Sequence, residues 1–439
     1  MLPIRATRAC YHNESGAHNE CDCPDESSYR DKRGSCMSLI KSATTIGGAS
    51  VISQVIGAVS VWLISHKFGM NEVGTYALTY SVALIGAQVA MFASQLLLPK
   101  VTDEEVPASV MFCLLQAWLI PLPYTLLMLP FFSLNPWTTY LLTVTHALIL
   151  VAENLALRSE HFQRLGLQRI SASLTVLVCL ALAPSAGIFY WAWALLLFVV
   201  IGAWLLNAFD MRRLQRRDVS LTAIVAYWRT HRVHLSGIGS AEVLAMATAN
   251  LPVMLVNYWF SPLVAGYFAV VTRFCLAPVQ IIGNAVRNSV FSRWSVDFRH
   301  QHFNAAEFAK VRWLLLGMGA AAVVGIWIFY PLIMHAFFDS QWVDSIQTSR
   351  YMLPYVFTAL AICPLTVIEL VYGSAGYFLR IQIEQLLVVV LSLLVLPYFY
   401  PNYSLAVLAY ASLTALRYAF IYLRVNHRAR LLTQQGVRG

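Results

Sequence analysis

Twelve stretches of this 439-residue chain are long and apolar enough to cross a lipid bilayer. A spanning helix needs ~20 mostly apolar residues, because hydrocarbon offers no partner to a free backbone N–H or C=O. The first six runs lie near residues 44 to 65, 74 to 98, 107 to 130, 137 to 157, 169 to 185 and 188 to 208. The next six lie near 236 to 259, 263 to 291, 312 to 335, 350 to 373, 379 to 398 and 402 to 424. The pattern predicts an all-α, polytopic membrane protein with twelve transmembrane helices. Charged residues make up 12% of the chain, roughly half the share in a soluble domain. No stretch between the runs is long enough for a sizeable soluble domain.

Loop charge predicts orientation. Lys and Arg collect in alternate loops: Lys100; Arg158, Arg164 and Arg169; six arginines between 212 and 232; Arg293, Arg299 and Lys310; then Arg380. The opposite loops carry little beyond Lys67 and Arg350. The basic side is expected to be cytoplasmic, with both termini inside. The basic stretch 210–234 reads as a cytoplasmic linker between two six-helix lobes, 41–209 and 235–424, and 425–439 as a basic cytoplasmic tail. Residues 1–40 read as a disordered tail, with Met37 a candidate start. The net charge of +9 is spread between apolar runs, which argues against a nucleic-acid partner.

One apolar run carries an unusual polar stripe. Arg273, Gln280 and Arg287 are spaced seven and seven, with Asn284 beside them. On a continuous helix they share one face, since seven residues drift only about 20°. Arg273 lies about 16 Å inside its run, too deep to snorkel out with ease. An ion at that depth faces a protein interior or a wet cavity. Pro278 is expected to loosen the helix between Arg273 and Gln280. A shift of 192 residues aligns Phe260 with Phe68, Gly266 with Gly74, Ala269 with Ala77, Gln280 with Gln88 and Arg287 with Gln95, and sets Pro278 on Gly86. An internal repeat of this kind predicts two pseudo-symmetric lobes around a central cavity. The stripe residues Arg273, Arg287, Gln280, Asn284, Gln88 and Gln95 are the candidate cavity lining. Glu242, on the neighbouring run, is a candidate coupling-ion or proton site. It is also the candidate structural partner of Arg273.

Reactive constellations are scarce. The acidic group Asp103, Glu104 and Glu105 has no nearby His cluster or phosphate-binding glycine loop and reads as a solvated loop. Cys10, His12, Cys21, Cys23 and Cys36 match no zinc-ligand spacing. Ser236 to Gly239 is too short for a nucleotide fingerprint. His300 and His302 read as solvated. No metal or cofactor is implied, and the chain is expected not to be an enzyme.

Lys41-Ser42-Ala43 through Gly57, the run Phe68 to Leu78, Gln95 to Lys100, and Asn250 to Ala269 together resemble the O-antigen (Wzx-type) flippases, the polysaccharide transporters of the MOP superfamily. The resemblance spans Met37 to about Arg430 and rests on structural rather than catalytic motifs. It implies two six-helix lobes, a cationic cavity, and residence in the bacterial inner membrane. It further implies transfer of a polyprenyl-diphosphate-linked glycan to the periplasmic leaflet by alternating access. The partners implied are that glycan, membrane lipids, a coupling proton or sodium ion, and other glycan-assembly proteins. The rival readings are a multidrug or small-cation exporter of the same superfamily and a membrane-embedded glycosyl- or acyltransferase.

Overall fold

A computed structural model describes residues 48–159, 161–209, 221–299, 303–338, 340–372 and 375–436. The expectations for residues 1–47, including the cysteine-rich stretch, lie outside them, as do Arg212 to Arg217, His300 and His302. No strand occurs among the described residues. Eleven helices there are long and apolar enough to span a bilayer, and a pair bent by 40° makes the twelfth.

The first lobe comprises α1 (Gly48–Phe68), α2 (Met70–Met91), α3 (Val106–Met128), α4 (Pro136–Arg158), α5 (Phe162–Leu182) and α6 (Ala186–Ala208). The second begins with α7 (Leu221–Trp259). It continues with α8, in which Pro262–Val271 passes through a π-helical turn, Thr272–Leu276, into Ala277–Arg299. Then come α9 (Ala305–Phe337) and the bent α10 (Ser345–Ala361 with Cys363–Glu369). In α11, Ala375–Val390 passes through a second π-helical turn, Leu391–Val395, into Leu396–Phe399, and α12 (Tyr403–Gly436) ends the bundle. Both π-turns hold the carbonyl four residues before a proline, Phe274 before Pro278 and Leu393 before Pro397. Proline has no N–H for that carbonyl and its ring crowds it, so the chain widens by one residue there. Helix starts are capped where the sequence supplies an oxygen acceptor. Asn135 accepts from Trp137 and Thr138, Ser261 from Val264, and Asn304 from Glu307.

In the first lobe α4 packs on α2 and α6, and α5 on α6. In the second, α10 packs on α9 and α12, and α7 on α11. The lobes meet where α2 packs against α7 and α8. At that seam the internal repeat has a physical form. A Cβ on Gly74 would lie 1.7 Å from the carbonyl oxygen of Pro262, and one on Gly266 would lie 2.6 Å from that of Met70. Met70 and Pro262 are themselves related by the 192-residue shift, so each lobe presents the same glycine to the same position of its counterpart. The outer faces stay apolar, with Leu119, Leu182, Val199, Trp313 and Phe329 exposed as bilayer-facing residues require.

Several expectations are corrected. The second apolar run does not continue to residue 98. α2 stops at Met91, and Phe92 and Ala93 both take left-handed φ values, 44° and 64°. That conformation costs about 1–2 kcal/mol per L-residue. Gly86 does not break α2; it gives room for the Tyr124 ring, 2.4 Å from where a Cβ would sit. α5 starts at Phe162, so Arg164 and Arg169 belong to a helix and not to a loop. From Leu221 onward the basic linker is helical and part of α7, and α12 takes in the tail as far as Gly436. Lys67, an exception to the loop-charge pattern, caps a neighbouring helix. Its Nζ donates to the carbonyls of Leu180, Ala181 and Ala183 at the end of α5.

Candidate functional site: a polar cavity closed by Arg273

The first lobe encloses a cavity of about 310 Å³. One wall is α1, which turns Ser50, Ser53, Gln54, Gly57 and Ser60 inward. Those positions follow the three- and four-residue spacing that puts side chains on one helix face. Tyr76 and Tyr80 come from α2, His146 and Glu153 from α4, Gln168 and Arg169 from α5, and Trp193 from α6. One contributor belongs to the other lobe: Arg273, in the π-turn of α8.

Arg273 reaches the cavity by passing Gly57. Its Nη2 lies 1.6 Å from the point where a Cβ on Gly57 would be, so a side chain at 57 would displace this guanidinium. The Nε–H of Arg273 is buried and donates to no protein atom. A buried, unpaired polar group costs on the order of 1–3 kcal/mol or more if charged. No ion pair joins it to Glu242, which is exposed on α7. The structural pairing weighed from the sequence is therefore absent.

The cavity's other cation is neutralised. Arg169 donates through Nε to Glu153 Oε1 at 2.8 Å and through Nη2 to Oε2 at 3.4 Å, while Nη1 donates to Ser50 at 3.2 Å. Two guanidinium groups against one carboxylate give the arginines and glutamate of the lining a formal charge of +1 (2 − 1). His146 meets the carbonyl oxygen of Leu142 through Nδ1 at 2.8 Å, and its ring stands edge-on to Tyr80. Hydroxyl, amide and aromatic groups beside one unpaired guanidinium form a lining able to hold an anion together with polyhydroxylated groups.

The six stripe residues do not come together. An extra residue in a turn rotates the rest of the helix by about 100°. Arg273 accordingly faces the first lobe. Gln280 and Asn284 are exposed and Arg287 is half-buried; none of the three lines this cavity. Gln88 is buried in α2, and Gln95 sits in the 3₁₀ turn Ser94–Leu97 beyond the left-handed pair, off the helix that was to carry it. Conversely, sequence reasoning left out the α1 stripe, Tyr76, His146, Glu153 and Arg169. The α1 stripe was readable by helical spacing. Glu153 and Arg169 were obscured because Arg169 was counted among loop residues. Asp103 is held by Arg158 Nη2 at 2.5 Å, and Arg158 Nη1 also donates to Leu98 at 2.7 Å, so this acidic loop is tied down by α4.

The twelve-helix, two-lobe fold is similar to that of solved membrane transporters. Among solved structures it is similar to the lipid II flippase MurJ in an inward closed conformation, with a TM-score of 0.65 at 13% identity over 89% of this chain and 90% of that one. An inward-facing multidrug resistance MATE family transporter gives 0.64 at 12% identity, over 86% and 96%. A MOP superfamily transporter from Pyrococcus furiosus, described by the reverse polarity of its binding pocket, gives 0.57 at 12% identity, over 90% and 96%. No family model matches the chain, and no curated protein sequence matches it.

Proposed function

We propose that this chain is a flippase that carries a polyprenyl-diphosphate-linked oligosaccharide across the bacterial inner membrane by alternating access, with both termini cytoplasmic. The observation that carries the reading is the guanidinium of Arg273, unpaired by any carboxylate and aimed across the lobe boundary into a polar cavity whose arginines and glutamate carry a formal charge of +1. Sugars and a diphosphate cannot cross ~30 Å of hydrocarbon unaided, whereas a polyprenyl tail can stay in lipid throughout. Arg273 offsets the cost of bringing the diphosphate in, because its planar fork matches two phosphate oxygens. The serines of α1, with Gln54 and Gln168, suit sugar hydroxyls. Arg273 belongs to one lobe and the rest of the lining to the other, so rocking the lobes apart would separate the anion contact from the sugar contacts and release the substrate.

The test is translocation of a fluorescent polyprenyl-diphosphate oligosaccharide in proteoliposomes, read by its loss of accessibility to an external quencher. Transport that exceeds protein-free vesicles and fails with Arg273→Ala supports the reading; transport equal to protein-free vesicles rejects it. Glu153 in the lining favours one competitor, an exporter of small organic cations. Efflux of such a cation in the same vesicles, without movement of the lipid-linked glycan, would establish that instead.

A further inference from the structure

A second feature lies away from the cavity, between α11 and α12. There a groove of about 490 Å³ changes character along its length. Toward one end stand Arg424 and Arg380; toward the other, Leu387 and Leu413, with Phe420, Arg417 and Leu416 in between. α11 runs away from that cationic end and α12 runs toward it; Arg424 lies over the Tyr377 ring and Arg417 donates to the Ile381 carbonyl, so Arg380 stands at a level between the two. Arg417 is seven residues, about 10 Å, deeper than Arg424.

The cations are anchored but not consumed. Arg380 meets Glu384 Oε1 at 2.7 Å through Nε, and Arg424 meets Glu369 Oε1 at 3.3 Å through Nε while lying 3.8 Å over the Tyr377 ring. Their side chains keep 68% and 48% of their surface exposed, which leaves the outer part of each fork accessible. Arg417 is 8% exposed, donates to Gln385 and to the carbonyl of Ile381, and stands 3.9 Å from Glu384. Three cations against the two carboxylates leave the group at +1 (3 − 2). The apolar wall faces outward: Leu387, Leu416 and Phe420 are 53%, 54% and 64% exposed. A soluble anion has no use for that wall, and a neutral lipid has none for the arginines.

We propose that this groove binds an anionic phospholipid, its phosphate between Arg380 and Arg424 and an acyl chain along Leu387, Leu413 and Leu416. The site shares no residue with the cavity around Arg273 and does not depend on what that cavity carries. The experiment uses full-length protein delipidated in detergent and then titrated with phosphatidylglycerol or phosphatidylcholine. Lipid retained is counted by native mass spectrometry, and thermal unfolding is followed in parallel. Phosphatidylglycerol is retained and raises the melting temperature; phosphatidylcholine does so weakly. Arg380→Gln, at an exposed position where folding is not at stake, reduces phosphatidylglycerol affinity about fivefold, the effect of one arginine near a lipid surface. Arg380→Lys keeps most of it. Equal retention of the two lipids, or an unchanged preference in Arg380→Gln, overturns the proposal. So does equal stabilisation by inorganic phosphate alone. If polyprenyl diphosphate is held and phosphatidylglycerol is not, the groove serves the transported lipid and the proposal fails.

Discussion

Arg273 and Gly57 act as one unit, because the guanidinium occupies the space that any larger residue at 57 would fill. Arg273→Ala is expected to abolish translocation while leaving membrane insertion and thermal stability near wild type. Removing a cation that has no carboxylate partner leaves no buried charge behind. Arg273→Lys keeps part of the activity, since the charge survives and the bidentate fork does not. Glu242→Gln in the Arg273→Ala background should restore nothing, because the two residues are not paired; recovery of transport in that double variant would show that Arg273 serves Glu242. Gly57→Ala displaces the guanidinium of Arg273, the far end of a flexible side chain that can give way, so thermal stability should change by about 1 kcal/mol or less. It should nonetheless depress transport toward the level of Arg273→Ala. Combining Gly57→Ala with Arg273→Ala should lower transport no further than Arg273→Ala alone. Arg273 stands out in the sequence because ionic residues deep in an apolar run are rare. Gly57 does not, since nothing local says which of 22 glycines faces a distant arginine.

At the level of the helix, the π-turn decides where Arg273 points. An uninterrupted α-helix would align Arg273 with Gln280 and Arg287, as the seven-residue spacing suggests. The added residue in Thr272–Leu276 separates them. Pro278→Ala supplies the missing N–H and allows a plain α-helix, which turns Arg273 by about 100° relative to the residues after it. Transport should then fall toward the level of Arg273→Ala, with circular dichroism and melting temperature held or raised. Full transport by Pro278→Ala would mean that packing against Gly57 aims Arg273 without help from the turn. The sequence marks Pro278 as a break but cannot say whether the helix kinks, loosens or widens, because that choice depends on what packs against the freed carbonyl. The same limit applies to α2. Its end at Phe92 and Ala93 carries no glycine or proline signal, and Gly239 of α7 packs so closely on Phe92 that a Cβ there would lie 2.7 Å from both the ring and the carbonyl oxygen. Long-range packing holds this turn, so apolar patterning alone carried the helix through it. The twelve spans were legible for the opposite reason: bilayer thickness imposes their length on each run separately.

At the scale of the whole molecule, the lobes meet at both ends of α2: at one, Gly239 of α7 packs on Phe92, and the other is the end where α1 meets α2. Gly74 and Gly266 allow α2 and α8 to touch there through backbone. Beside them Trp342 Nε1 donates to Ser65 Oγ at 2.6 Å across the lobe boundary, while Tyr267 donates to Asp344 at 3.0 Å within the second lobe. In the alternating-access cycle proposed above this end must open, so the bond across the boundary is expected to bias the balance between the two states. Trp342 is fully buried among Phe274 and Phe338, so Trp342→Phe keeps most of the packing and removes the one donor to Ser65. Loss of a hydrogen bond worth about 1 kcal/mol shifts a two-state equilibrium roughly fivefold. A cysteine placed at Asn71, beside the seam, should therefore react faster with a membrane-impermeant thiol reagent in Trp342→Phe than in the otherwise unchanged protein. Ser65→Ala should reproduce the increase, since it removes the other half of the same bond, and the double variant should add little to either single one. An additive double variant would mean that the two residues stabilise the closed end separately, through packing and not through the bond between them.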